Sequence, residues 1–175
     1  MRFIYIFIFS VLLFSKLIAT QRTVVKAVRT SEEINIDAIF DEKIWNEIAP
    51  ITSFIQRLPV DGASPSEKSE MRIIYDSDYL YFGFIFFDDE PDKIRATILN
   101  RGGWIHRDDK LEIAIDTYLD RRNAYLFEMN PFGTQDDALI SDEKRPSLDE
   151  WAWDGVYKSE GRITDFGWVL EVAIP

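Results

Sequence analysis

The stretch WIHRDDKLEIAIDTYLDRRNAYLFEMNPFG, residues 104–133, decides the fold prediction because it has the pattern of a β-hairpin. Apolar residues alternate with polar or small ones over residues 110–116, and in residues 124–130 Tyr125, Phe127 and Met129 share one face. This period of two is typical of half-buried strands. The polar residues 119–123 between them predict a surface turn, where binding residues often collect.

The rest of the chain also predicts strands. Residues 71–75 and 79–88 predict a second hairpin, and the second of these strands is apolar on both faces, as in a central strand covered on both sides. Further strands are predicted at residues 33–36, 153–158 and 167–174, with a possible one at 53–57 and a short helix at 41–49.

Composition limits the classes of function. A chain of 175 residues that is 46% hydrophobic and 14% aromatic is enough for one globular domain. A net charge of −11 argues against nucleic acid or an anionic membrane surface as the partner. The absence of cysteine excludes a disulfide framework.

Residues 1–20, MRFIYIFIFSVLLFSKLIAT, have the pattern of a secretory signal peptide, with an uncleaved anchor as the alternative. Residues 21–32 are then a linker, and we expect an exported protein of the periplasm, the outer membrane or the extracellular space. The apolar end of the chain at Pro175 leads us to expect that the domain at 33–175 is truncated.

Five ordered motifs carry a family resemblance. They are IDAIFDEKIW (36–45), SEMRIIYDSDYLYFGFIFFDDEPDKI (69–94), the hairpin at 104–133, DEWAWDGVY (149–157) and GWVLEVAIP (167–175). Together they resemble a family 9 carbohydrate-binding module, of the kind that precedes an outer-membrane β-barrel region in some bacterial envelope proteins. The resemblance implies an all-β antiparallel sandwich, immunoglobulin-like or jelly-roll-like, with one or two short helices. It also implies an oligo- or polysaccharide ligand of xylan or cellulose type, and a barrel or catalytic domain as a further partner.

Stacking on aromatic rings is how proteins hold the C–H faces of a pyranose, and tryptophan offers the largest ring. Trp45 and Trp168 lie in apolar patterns and are predicted to be core. Trp104 and Trp151 lie in polar loops and are the predicted stacking platforms, whereas Trp153 fits a second platform or the core equally well.

Polar partners for sugar hydroxyls are predicted at Arg121, Asn123 and Asn130, because guanidinium and amide groups match vicinal hydroxyls. Asp108, Asp109 and Gln135 are second choices. The alternative is that these residues only form turns and strand ends.

Clusters of acidic residues in the sequence could bind calcium. Modules of the family that the chain resembles often carry a structural calcium ion. Asp88, Asp89 and Asp92 are the best candidates for its oxygen ligands, with solubilising turn residues as the alternative. No cofactor is required by the sequence.

Catalysis has little support in the sequence. His106 is the only histidine, so Cys–His sites are excluded and a His-ligated zinc is not expected. Three hypotheses remain: a non-catalytic sugar-binding module with two exposed tryptophans at a cleft, a periplasmic docking domain with buried tryptophans, and part of a glycoside hydrolase with two facing carboxylates. Modules of this kind often accompany xylanases.

Overall fold

The computed structural model describes residues 24–175, so the predicted signal peptide lies outside the described part. The strands are β1 (Val28–Arg29), β2 (Ser69–Tyr75), β3 (Leu80–Phe87), β4 (Leu111–Ile115), β5 (Ala124–Met129), β6 (Gln135–Ile140), β7 (Lys158–Thr164) and β8 (Gly167–Ile174). The helix α1 spans Lys43–Glu47, and single 3₁₀ turns lie at Pro91–Lys93, Ile105–Arg107 and Glu150–Ala152.

Two sheets form the sandwich. The first has the strand order β1-β2-β3-β8-β7 and the second has the order β4-β5-β6. Neighbouring strands are antiparallel except β1 and β2, which are parallel. The predicted all-β antiparallel sandwich with a short helix is therefore confirmed.

The main core lies between the two sheets. Its buried side chains come from both of them and include Phe82 and Phe84 of β3, Phe127 and Met129 of β5, and Leu170 of β8. Removing such side chains from water is the principal stabilising contribution to a sandwich.

A second apolar cluster covers the other face of the five-stranded sheet. It joins Tyr81 of β3 and Ala173 of β8 to Ile44 and Trp45 of α1. Gly83 makes this approach possible, because a Cβ there would collide with the ring of Phe40. The prediction that residues 79–88 form a central strand covered on both faces is confirmed.

The two tryptophans predicted to be core are buried. Trp45 packs edge-on against Phe40, with ring centroids 5.6 Å apart. Trp168 stacks on Phe86, with ring centroids 4.0 Å apart.

Several local predictions were wrong. Residues 33–36 form no strand, because backbone N–H groups in this region are bound by side chains: Asn35 donates to Glu42 Oε1 at 2.7 Å and Ala38 donates to Glu171 Oε2 at 2.8 Å. Residues 53–57 also form no strand. Instead, an isolated bridge joins Ile51 to Met71.

The late strand predicted at residues 153–158 begins only at Lys158 and continues to Thr164. The residues before it form no ladder because their backbone groups are bound elsewhere: Trp153 N donates to the Glu150 carbonyl at 3.4 Å and Gly155 N donates to Asp137 Oδ2 at 2.6 Å. The indole of Trp153 packs inward against Tyr125 and Phe127. β6 was not predicted, since its apolar and acidic residues do not alternate.

Within residues 24–175, no helix has the length and apolar character needed to cross a membrane.

Candidate functional site

A cleft on the outer face of the three-stranded sheet is the candidate site. We call it the tryptophan cleft. Its volume is about 590 Å³, and its lining comprises Gly102, Trp104, His106, Lys110, Glu128, Asp136, Arg145, Pro146, Ser147, Leu148 and Trp151. It therefore brings together the two tryptophans that were predicted as stacking platforms.

Trp104 forms one wall of the cleft and is 63% exposed. Its backbone adopts the left-handed conformation, with φ of 61°, which turns the chain just before the 3₁₀ turn at Ile105–Arg107. The next residue, Ile105, is fully buried and anchors the loop. The indole lies edge-on to the imidazole of His106, with ring centroids 5.7 Å apart.

Another part of the lining carries Trp151, which is half-buried on the 3₁₀ turn Glu150–Ala152. The turn is held by Ser147, whose carbonyl accepts from Trp151 N at 3.1 Å and whose N–H donates to Glu150 Oε2 at 2.7 Å. Both indoles therefore stand on short, hydrogen-bonded turns.

A row of three carboxylates crosses the sheet at the cleft. Glu112 of β4 is the direct cross-strand partner of Glu128 of β5, which is in turn the partner of Asp136 of β6. Glu128 is only 3% exposed. Like charges at directly opposed positions destabilise a sheet, so the row needs a counter-charge.

Lys110 supplies part of that charge. Its Nζ lies 2.7 Å from Glu112 Oε1 and 2.8 Å from Glu128 Oε1. Burial nevertheless raises the pKa of Glu128 to about 7, and it also raises the pKa of Asp136. Burial also acts to raise the pKa of Glu112. Hydrogen bonds from Lys110 and Glu128 outweigh this effect, so the pKa of Glu112 is lowered.

Asn130 lies beneath the Trp104 loop and does not face solvent. Its amide nitrogen donates to the Ile98 carbonyl at 2.7 Å and to Asp108 Oδ2 at 2.9 Å, and its amide oxygen accepts from the N–H groups of Phe132 and Thr134. Asn130 thus supports the loop that carries Trp104.

Asp108 completes this buried support. It accepts from Thr97 Oγ1 at 2.7 Å and from the N–H groups of Thr97 and Ile98. Burial alone would raise the pKa of Asp108, but these hydrogen bonds and the one from Asn130 hold it below its ordinary value.

Arg121 and Asn123 lie elsewhere, on the exposed connection between β4 and β5, and do not line the tryptophan cleft. Asp120 organises that turn by accepting from the backbone N–H groups of Arg122 and Asn123 and from Asn123 Nδ2 at 2.7 Å. The geometry there is that of a self-bonded turn.

The remaining predicted residues are also outside the cleft lining. Trp153 packs on the main core. Asp109 Oδ2 accepts from Arg95 N at 2.7 Å, and Gln135 Nε2 donates to Ser159 Oγ at 2.9 Å.

The acids predicted for calcium lie in a polar turn after β3. Asp88 Oδ1 accepts from Glu90 N at 2.7 Å, and Asp92 belongs to the 3₁₀ turn Pro91–Lys93. In the described part of the chain, no three or more His, Cys, Asp or Glu side chains are grouped to hold a metal ion. Calcium binding therefore stays a prediction.

A larger cavity of about 870 Å³ opens between the sheets near the β2–β3 turn. Its lining is mostly apolar and includes Tyr79, Tyr125 and Trp153. Asp76 at its rim is already engaged, since it accepts from Tyr79 N and Tyr81 Oη. We regard the tryptophan cleft as the candidate site because it combines two accessible indoles with charged groups.

The sequence analysis missed the cleft residues Lys110, Glu128, Asp136 and Arg145, and their neighbour Glu112. A signal for two of them was present, because Glu112 and Glu128 occupy the polar face of two strands predicted to pair. The register that opposes them, and the unpredicted β6 that brings Asp136 beside them, required the structure.

The architecture defines the class of protein: a β-sandwich domain with an aromatic cleft on the outer face of one sheet. Residues 36–175 match the sequence profile of the carbohydrate family 9 binding domain-like family, and the chain belongs to that family. The family consists of binding domains. Comparison with curated protein sequences finds no match.

Solved structures support the fold. A family 9 carbohydrate-binding module from Caldicellulosiruptor kristjanssonii in complex with glucose has a TM-score of 0.57 at 15% identity, over 85% of this chain and 68% of that one. A family 9 module from Caldicellulosiruptor kristjanssonii in complex with cellotriose has a TM-score of 0.57 at 15% identity, over 85% of this chain and 65% of that one. A putative carbohydrate-binding protein from Bacteroides uniformis gives 0.55 at 15% identity, over 86% and 72%. The chain thus spans about two thirds of the length of these structures.

Proposed function

We propose that the domain binds a pyranose unit of an oligo- or polysaccharide, of xylan or cellulose type, in the tryptophan cleft and without catalysis. The observation that carries this proposal is the placement of exposed Trp104 and half-buried Trp151 on the same cavity. Two rigid indoles provide a large stacking area at a low cost in conformational entropy.

The polar groups of the cleft suit hydroxyl groups. Lys110 donates hydrogen bonds, and Glu128 and Asp136 accept them when ionised. The known glucose and cellotriose complexes of structural relatives agree with a neutral ligand.

The docking alternative predicts buried tryptophans, and exposed Trp104 speaks against it. A glycosidase would need two carboxyl groups on opposite sides of a scissile bond. Glu112, Glu128 and Asp136 instead project side by side from one face of a sheet, with Lys110 bridging two of them.

Export is part of the proposal. The apolar leader pattern of residues 1–20 supports a periplasmic, outer-membrane or extracellular location, where polysaccharides are encountered. A barrel or catalytic domain elsewhere in the same protein would use the module to approach such a ligand.

Tryptophan fluorescence titrated with xylo- and cello-oligosaccharides tests the proposal. We expect a saturable change, weakened tenfold or more in Trp104→Ala and Trp151→Ala, which corresponds to about 1.4 kcal/mol or more. Tyr118→Ala is the matched control, because Tyr118 is equally exposed but lies outside the cleft. A flat response from folded protein would favour the docking role, and turnover of an aryl glycoside would favour the hydrolase.

A further inference from the structure

Arg101 precedes the Trp104 wall by three residues and does not line the cleft. Its Nη2 donates to Asp137 Oδ1 at 2.8 Å and to the Gly155 carbonyl at 2.5 Å. The same nitrogen lies 2.5 Å from Asp154 Oδ1. One guanidinium group therefore joins the Trp104 loop, strand β6 and the segment that follows Trp151.

Asp137 is the fixed point of this arrangement. It lies in β6 and is only 4% exposed. While Oδ1 accepts from Arg101, Oδ2 accepts from Gly155 N at 2.6 Å. Each oxygen of a single buried carboxylate thus holds one of the two segments that carry the walls.

The chain between these anchors and the indoles is short. Only two residues separate Arg101 from Trp104, and one of them, Gly102, donates its N–H to the Gln135 carbonyl at 3.0 Å. Three residues separate Trp151 from Gly155. The contacts of Arg101 therefore lie within three residues of Trp104 and within four of Trp151.

The arginine side chain suits this position in length and in shape. Its polar contacts are all made by the terminal nitrogen Nη2, which lies farther from the backbone than the ammonium nitrogen of a lysine would. Its guanidinium group also lies over the ring of Tyr157, 5.5 Å from the ring centroid. A lysine would keep the positive charge near Asp137 but would lose the planar group over Tyr157.

We propose that Arg101 is a positioning residue for the tryptophan cleft, which fixes the spacing of Trp104 and Trp151 by binding Asp137 and Gly155 together. This inference rests on the proposed function in so far as the cleft binds sugar. A cleft whose walls are held in place before the ligand arrives pays less ordering entropy on binding.

The experiment compares wild-type protein with Arg101→Lys, Arg101→Ala and the control Arg122→Ala. Arg122 also pairs with an aspartate, Asp142 at 2.5 Å, but it lies on the β4–β5 connection away from the cleft. Two quantities are measured: amide hydrogen exchange by segment, and affinity for cello- and xylo-oligosaccharides by calorimetry.

We expect both Arg101 variants to exchange at least tenfold faster at residues 101–104 and 150–155, with β3 and β8 unchanged. Sugar affinity should fall tenfold or more in Arg101→Ala and by less in Arg101→Lys, because the shorter lysine side chain keeps a positive charge near Asp137 but loses the planar group over Tyr157. The control should match wild type in both measurements. Such a local effect separates positioning from general loss of stability.

Wild-type exchange rates in the two segments of a folded Arg101 variant, or wild-type sugar affinity, would overturn the proposal. If Arg101→Ala does not fold, the same two measurements on Arg101→Lys test the proposal. Wild-type protein that binds no sugar would contradict the proposed function, and the exchange rates would still decide whether Arg101 holds the two walls.

Discussion

Glu112 and Glu128 are direct cross-strand partners, and the ammonium group of Lys110 lies within 2.8 Å of an oxygen of each. Two acidic residues at such a position repel each other unless a cation or a proton separates them. Here both are available, since Lys110 is in place and burial raises the pKa of Glu128 to about 7.

Lys110→Met should lower the free energy of unfolding at pH 7 by about 2 kcal/mol, because it leaves two carboxyl groups without their cation. Uptake of a proton by Glu128 limits the loss of stability. Urea denaturation measures the change in the free energy of unfolding. Lys43→Met is the control, since Lys43 forms an exposed pair with Glu47, and such pairs contribute less than about 1 kcal/mol. Equal losses in the two variants would contradict this account of Lys110.

The buried Glu171 predicts a dependence of stability on pH. It accepts from Asp37 N and Ala38 N, but its Oε1 has no partner among the described residues. Burial raises its pKa to about 7. A carboxyl group whose pKa is higher in the folded state contributes to the stability of the fold. The contribution is complete when the pH is below the pKa of the group in the unfolded chain, and it disappears as the pH rises through about 7.

Glu171→Gln should therefore gain stability relative to wild type between pH 5 and pH 8, by a few kcal/mol at most. Glutamine keeps an acceptor for the two N–H groups and carries no charge. Denaturation curves at several pH values measure the difference. Glu143→Gln, an exposed replacement on the loop after β6, should show no such trend. A difference for Glu171→Gln that does not vary with pH would refute the assignment.

Asn130→Ala should destabilise the fold by about 2–4 kcal/mol, because it leaves several buried partners without their hydrogen bonds. Thermal and urea unfolding measure the loss. Asn123→Ala, in the exposed turn, should cost about 1 kcal/mol or less. If Asn130→Ala keeps wild-type stability and loses only sugar binding, Asn130 is a ligand contact and the supporting role is wrong.

Much of the fold could be predicted because its strands carry clear local patterns. The alternation in 110–116 and the two apolar faces of 79–88 correspond to β4 and β3. β6 could not be found in this way, since Asp137 points inward to bind Arg101 and Gly155 and so breaks the alternation. Residues 33–36 resemble a strand locally, but Glu42 accepts from the N–H group of Asn35, and Glu171 accepts from those of Asp37 and Ala38 just beyond.

The site could be predicted only in part. Trp104 and Trp151 were identified because large apolar rings in polar loops need a reason to be there. Asn130 has the same chemistry as an exposed ligand contact, and only tertiary structure shows that it is buried. The carboxylate row depends on which residues of neighbouring strands lie opposite each other, and sequence patterns alone do not specify this register.

The pairing of β3 with β8 has a consequence for how the chain is made. These strands lie side by side, yet about 85 residues separate Phe84 from its partner Leu170. Contacts this distant in sequence form slowly. The most apolar strand of the protein therefore leaves the ribosome long before its neighbour is synthesised, and it must be kept from aggregating in the meantime.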